Sequence, residues 1–267
     1  MKCQKKHKIA FKTQIASKKV AKSKQKALTL QDMSIRRRLF MTIAALATMV
    51  CAHAQYNIQC EDTCNHIHGL DMSHYQGNVF WEAIGNNGRM YYVYLKASEG
   101  GDNQDKRYVD NIRMAKASGL KVGSYHFYRP KQPQVVQLRN FRAQCHPDQQ
   151  DLVPMIDVES AGGLSASALC DSLHKFLELV EREYHQKPLV YTYTNFYNKY
   201  LVGQLDDYKL MVAQYTPDRE PKLADERDIF AWQYTGKGYI YGVTGYVDKS
   251  RLLGRHTMRE IRYNRRR

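Results

Sequence analysis

The run Leu152-Val153-Pro154-Met155-Ile156-Asp157-Val158-Glu159 constrains the fold more than any other stretch of the chain. Polar residues precede it and the small residues Ala161-Gly162-Gly163 follow, the pattern of a strand buried on both faces of a parallel sheet. Side chains at i and i+2 of a strand share a face, so Asp157 and Glu159 project the same way. Crowding raises the proton affinity of one carboxyl and leaves the other ionised, a division of labour suited to acid–base chemistry at a sugar linkage. This stretch alone also fits solvated or arginine-paired acids, or a divalent-metal site.

The rest of the chain repeats the theme. Strand-like runs fall at His68–Ser73, Met90–Ser98, Lys121–Tyr128, Leu152–Glu159, Pro188–Thr194, Lys209–Tyr215, Ile229–Thr235 and Gly242–Asp248. Helical patterns separate the earlier ones: Lys106–Ser118 stopping at Gly119, Gln134–His146, and Ser165–Tyr184 with its apolar residues on one face. Alternating strands and helices argue for βα units. Eight strands, with weak helical periodicity after Tyr193, predict an α/β fold of TIM-like barrel type that lacks some helices in its second half. One domain is expected over residues 66–252, with 55–65 as a leader and 253–267 as a basic tail.

Charge is unevenly placed. The net charge of +15 comes from the ends: residues 1–54 hold 13 Lys+Arg and one acid, whereas 55–248 hold 20 basic and 24 acidic residues. A mildly acidic body between basic ends excludes a nucleic-acid reader. Arg36-Arg37-Arg38, a short apolar run from Leu39 to Cys51 and Ala52-His53-Ala54 predict a signal peptide over residues 33–54, and hence export to the periplasm or medium, with no membrane span after cleavage. Residues 1–32 then form a disordered basic extension upstream of a true start at Met33. Cys60, Cys64, Cys145 and Cys170 remain after cleavage, enough for two disulfides. Cys60 and Cys64 with His66 and His68 form a looser alternative, a zinc site.

In a parallel barrel the chemistry lies where strands end. Those ends supply Asp71, Lys96, Tyr125 and His126, Asp157 and Glu159, Tyr191, Gln214 and Tyr215, Trp232 and Gln233, and Asp248. Aromatic faces stack on sugar rings and carboxylates bind hydroxyls, so this inventory suits a carbohydrate cleft. Singly, each has a plainer reading: Lys96 as a snorkelling surface group, His126 as a satisfied buried histidine, Tyr191 and Trp232 as packing.

Asp71-Met-Ser-His-Tyr-Gln-Gly, Trp81, Lys96-Ala-Ser-Glu-Gly, Asn111, Val122-Gly-Ser-Tyr-His-Phe-Tyr, Asp157-Val-Glu159 and Trp232-Gln-Tyr-Thr ahead of Asp248 follow one another in a recognisable order. Together they resemble family 25 of the glycoside hydrolases, the Chalaropsis-type lysozymes. The resemblance implies a flattened barrel and hydrolysis of the β-1,4 bond after N-acetylmuramic acid in peptidoglycan; the sequence itself gives no sign of a metal or organic cofactor, and a monomer is expected. By position it makes Glu159 the general acid/base and Asp157 the assisting carboxylate, with Asp71 and Asp248 as further cleft acids. Tyr125 and Tyr191 are expected to partner the substrate acetamido group or Asp157, and Gln214, Trp232, Lys96 and His126 to be further substrate contacts. The expected protonation is Glu159 neutral and Asp157 ionised, with the substrate's own acetamido oxygen as nucleophile. Met211 stands where the family commonly has tryptophan, which bears on sugar stacking. The alternatives are a non-catalytic glycan-binding barrel and a hydrolase of another N-acetylhexosamine polymer such as chitin.

Overall fold

A computed structural model of the protein describes residues 66–216 and 219–264. The expected extension, signal peptide and leader, with Cys60 and Cys64, lie outside the described residues. Nine strands form one sheet: β1 (His68–Met72), β2 (Met90–Glu99), β3 (Asn103–Gln104), β4 (Lys121–Phe127), β5 (Met155–Asp157), β6 (Leu189–Tyr193), β7 (Leu210–Ala213), β8 (Ala231–Gly238) and β9 (Val247–Leu252). The order β1-β9-β8-β7-β6-β5-β4-β2 is closed by a direct β1–β2 pairing, and β3 only extends β2 as a short hairpin. Eight strands therefore make a closed barrel, and no edge of the ring is left unpaired.

The helices are α1 (Trp81–Gly85), α2 (Tyr108–Ala117), α3 (Gln134–Arg142), α4 (Ala166–Tyr184) and α5 (Thr194–Tyr200). The longest, α4, is capped by the Ser165 hydroxyl accepting from the Ala168 N–H, and it buries Leu169, Leu173, Phe176, Leu177, Val180 and Tyr184. Past the end of α2, Gly119 takes φ of 91°, the left-handed conformation that glycine adopts without strain. Among the described residues no helix separates β7 from β8 or β8 from β9, so the second half of the ring is the thinner one.

The last strand departs from expectation. It spans Val247–Leu252 rather than ending at Asp248, and it runs antiparallel to both β8 and β1. A parallel return needs a crossover of roughly a dozen residues, and the short link from β8 allows only a hairpin. The ring is thus mixed, and Asp248 begins its strand instead of closing it. Residues past 252 also differ from a simple solvated tail: a 3-10 turn covers Met258–Ile261. Val153 N–H donates to Ile261 O and Tyr263 N–H to Asp151 O, both at 2.8 Å, with the Ile261 and Tyr263 side chains buried. The packed body therefore extends to Tyr263.

The barrel interior below the cleft is filled by tyrosine. A Cβ on Gly69 would run into the Tyr92 ring, and one on Gly123 into the Tyr94 ring, so these glycines make room for two wholly buried phenols from β2. Their hydroxyls are satisfied at Ser250 Oγ (3.0 Å) and Val153 O (3.1 Å). Cys145 and Cys170 are both buried free thiols, so neither joins the disulfide framework that the cysteine count allowed. Among the described residues no helix is long and apolar enough to cross a membrane.

Candidate active site

Register brings the acids together. Asp71 of β1 is the direct partner of Asp248 of β9, and Asp157 of β5 pairs with Phe127 of β4 on one side and Tyr191 of β6 on the other. Glu159 lies two residues on, just past the end of β5, and projects to the same side as Asp157. Asp71, Asp157, Glu159 and Asp248 line one pocket of about 230 Å³ together with Lys96, Tyr125 and Tyr191. Glu159 and Tyr191 also line a neighbouring, larger pocket of about 650 Å³, whose walls include Tyr193, Gln214, Tyr215 and Lys222. Glu159 therefore stands at the junction of two spaces.

Hydrogen bonds order the floor. Gln233 donates its amide N–H to Asp71 Oδ2 at 3.0 Å, and its oxygen accepts from the Tyr191 hydroxyl at 2.9 Å and from the Tyr215 hydroxyl at 2.7 Å. Ser250 adds a weaker contact to the same carboxylate at 3.4 Å. The other oxygen of Asp71 and Oδ1 of Asp157 are buried with no hydrogen-bond partner. Unsatisfied buried acceptors are costly, and here two of them face a cavity. At the rim Lys96 Nζ meets Glu99 at 2.6 Å, and Arg129 grips the same carboxylate. Burial works against ionised Glu99, but Lys96 and Arg129 outweigh it and hold its carboxyl below the usual range.

The cleft acids shift the other way. Burial pushes Asp71 up to about 7, with the charge of Asp248 adding and the bonds from Gln233 and Ser250 opposing. Asp248 rises to about 6 through burial and the nearby Glu159. Burial, and then the neighbouring Glu159 carboxylate, drive Asp157 well above the carboxylate range. Glu159 is raised too, again by burial, against the opposing influence of Asp157 and Tyr191. Burial thus raises both carboxyls of the pair, which lie within hydrogen-bond reach of each other and so hold a proton between them.

Seven of the predicted site residues converge on the smaller pocket, and Gln214 reaches the larger one. The Gln214 amide is committed to its own loop, donating to Thr216 Oγ1 and to Arg219 O, each at 3.0 Å. Two residues fall outside the cleft. His126 lies on the opposite face of β4 from Tyr125, fully buried between Phe141 and Phe176, with Nδ1 2.9 Å from Ser98 Oγ and Nε2 3.2 Å from Gln137 Oε1. Burial lowers its pKa to about 4, so it stays neutral. Trp232 is likewise on the outer face of β8, where its indole N–H donates to Gln214 O at 2.8 Å and the Arg251 guanidinium covers its ring. The intervening Gln233 is the inward residue, and it and Tyr215 are cleft groups that the sequence places at strand ends without a role. The two-residue strand period separates Gln233 from its neighbours but does not say which parity faces inward. Met211 is fully buried and lines neither pocket.

Comparison with known proteins agrees with this geometry. The family described as Glycosyl hydrolases family 25 matches residues 70–243. An uncharacterized protein, YegX, of Escherichia coli K12 is 32% identical over 186 residues, 68% of each chain. The autolytic lysozyme of Clostridium acetobutylicum is 31% identical over 180 residues, 67% of this chain and 54% of that one. Among solved structures, the bacterial lysozyme from Streptomyces coelicolor superposes with a TM-score of 0.67 at 26% identity, over 72% of this chain and 94% of that one. The family match over most of the barrel, joined to the closed ring and its four converging acids, places this chain in glycosyl hydrolase family 25, and the protein is a glycoside hydrolase.

Proposed function

We propose that the protein is an exported lysozyme that cleaves the β-1,4 bond between N-acetylmuramic acid and N-acetylglucosamine in peptidoglycan, with retention and with help from the substrate's acetamido group. The position of Glu159 carries this reading: it borders both pockets, so a linkage laid between them meets its carboxyl. The smaller pocket has the volume for one sugar ring, and Asp157 Oδ1 lies in it without a partner. An acetamido N–H donating to that oxygen favours ionised Asp157 and transfers the shared proton to Glu159. Glu159 then protonates the departing glycosidic oxygen while the acetamido oxygen bonds to C1. The same carboxylate next removes a proton from water as the oxazolinium ring opens, which returns Glu159 to its acid form. Asp71 and Asp248 add negative charge beside the cationic ring. The names of relatives, an autolytic lysozyme and Lysozyme M1 of Streptomyces globisporus, favour a peptidoglycan substrate over chitin.

Glu159→Gln in the full chain is expected to lower the release of reducing ends from purified peptidoglycan by at least about a thousandfold without loss of fold. Near-full activity in that variant removes Glu159 from the role. Mass spectrometry of wild-type products is expected to find N-acetylmuramic acid at the new reducing end; fragments released from chitin but not from peptidoglycan overturn the substrate.

A further inference from the structure

Aromatic side chains are unevenly spread over the surface. Of the seven exposed ones among the described residues, Tyr75, Phe80, Tyr241 and Tyr246 sit in just two loops, which follow β1 and β8. Those loops are tied together: Phe80 N–H donates to Gly242 O at 2.8 Å, Val79 bridges Val243, and the Gln76 amide donates to Tyr246 O at 3.3 Å. Solvent-exposed aromatic rings in a rigid frame are unusual unless something covers them.

The frame is rigid at Tyr75. His74 N–H and Nδ1 both bond Asp105 Oδ2, at 2.8 and 2.7 Å, and Asp105 is itself buried. Ser73 and Gln76 close a capping box around the 3-10 turn His74–Gln76. The Tyr75 ring lies on the His74 ring, 4.2 Å between centroids, leaving it 80% exposed at the wall of the acid pocket. Tyr246, packed on Tyr239 at 4.9 Å, is held beside this wall by Gln76, a lining residue whose amide donates to the Tyr246 carbonyl. Two more exposed rings, Tyr193 and Tyr215, line the larger pocket on the far side of Glu159.

We propose that Tyr75 and Tyr246 form a stacking platform for the sugars that precede the cleaved residue, so that the glycan lies with its non-reducing side over the β1 and β8–β9 loops and its departing side over Tyr193 and Tyr215. The direction rests on the functional reading above, in which Asp157 marks the pocket of the reacting sugar. Sugar rings present axial C–H groups that pack on phenol faces, and two pre-ordered rings lose little side-chain entropy on contact. The exposed tyrosines then extend the acid cleft along a polymer rather than mark a protein interface.

A test uses a peptidoglycan octasaccharide of alternating N-acetylglucosamine and N-acetylmuramic acid, labelled at its reducing end, with the full-length protein. Wild type is expected to cut first at the bond nearest the label, which leaves the longest segment over the platform, by about fivefold over the other bonds. Tyr75→Ala/Tyr246→Ala is expected to cut all bonds about equally, and Tyr75→Phe to keep the bias. A bias that survives the double substitution, or a wild-type preference for the opposite end, overturns the proposal. Wild type that leaves the octasaccharide intact refutes instead the lysozyme reading beneath it. Should the double variant not fold, Tyr75→Ala alone is scored by the same product ratio.

Discussion

Asp71 and Asp248 are direct register partners across the antiparallel β1–β9 pair, so the hairpin that ends the ring sets a second carboxyl beside the first. Burial, and then the charge of Asp248, raises Asp71 to about 7, while burial and the nearby Glu159 raise Asp248 to about 6. In the unfolded chain both titrate near the ordinary value of 3.8.

Between those values the folded protein holds protons that the unfolded chain releases. The stabilisation is complete at low pH and is lost as pH rises through the folded value, by about 4 kcal/mol for Asp71. Denaturant melts from pH 5 to 8 are expected to show falling stability in wild type. Asp71→Asn flattens the slope, stands above wild type at pH 8, and is slower on peptidoglycan; parallel curves for the two proteins contradict this.

His126 is expected to matter for stability and not for substrate. His126→Ala orphans Ser98 Oγ, leaves Gln137 Oε1 with only the Arg129 N–H, and costs about 1–3 kcal/mol. The native ring stays neutral down to about 4, against 6.5 when unfolded, so wild type loses stability as pH falls between those values and the variant loses less. KM measured on soluble glycan strands should not move; a several-fold rise returns His126 to the binding surface.

The C-terminal segment is expected to be structural. Deleting residues 253–267 removes Ile261 and Tyr263 from the core and leaves the Val153 N–H and Asp151 carbonyl without their backbone partners. A loss of several kcal/mol in chemical unfolding follows from burial alone. A truncated protein that melts with wild type, yet binds wall less well at low salt, means that this segment is an electrostatic tail.

Much of the fold was legible because strands and helices leave different apolar periods. Leu152–Glu159 announced a buried strand with two acids on one side, and both line the pocket. What failed was direction and parity. The antiparallel β9 depends on the length of the link before it, and apolar patterning is blind to strand direction. His126 and Trp232 were misplaced because both faces of these strands are buried, against the cleft on one side and helices or loops on the other, so aromatic composition is the same on each. Gln233 stood at a strand end without a role: a polar residue in Trp-Gln-Tyr gains meaning only when Asp71, 162 positions away in sequence, is set beside it.

The phenols that occupy the room left by Gly69 and Gly123 also govern traffic. Tyr92 and Tyr94, both wholly buried, plug the ring beneath the acids. On the mechanism proposed above, the hydrolytic water comes in through the open mouth once the severed half has moved off, so departure of the first product doubles as admission of the second reactant.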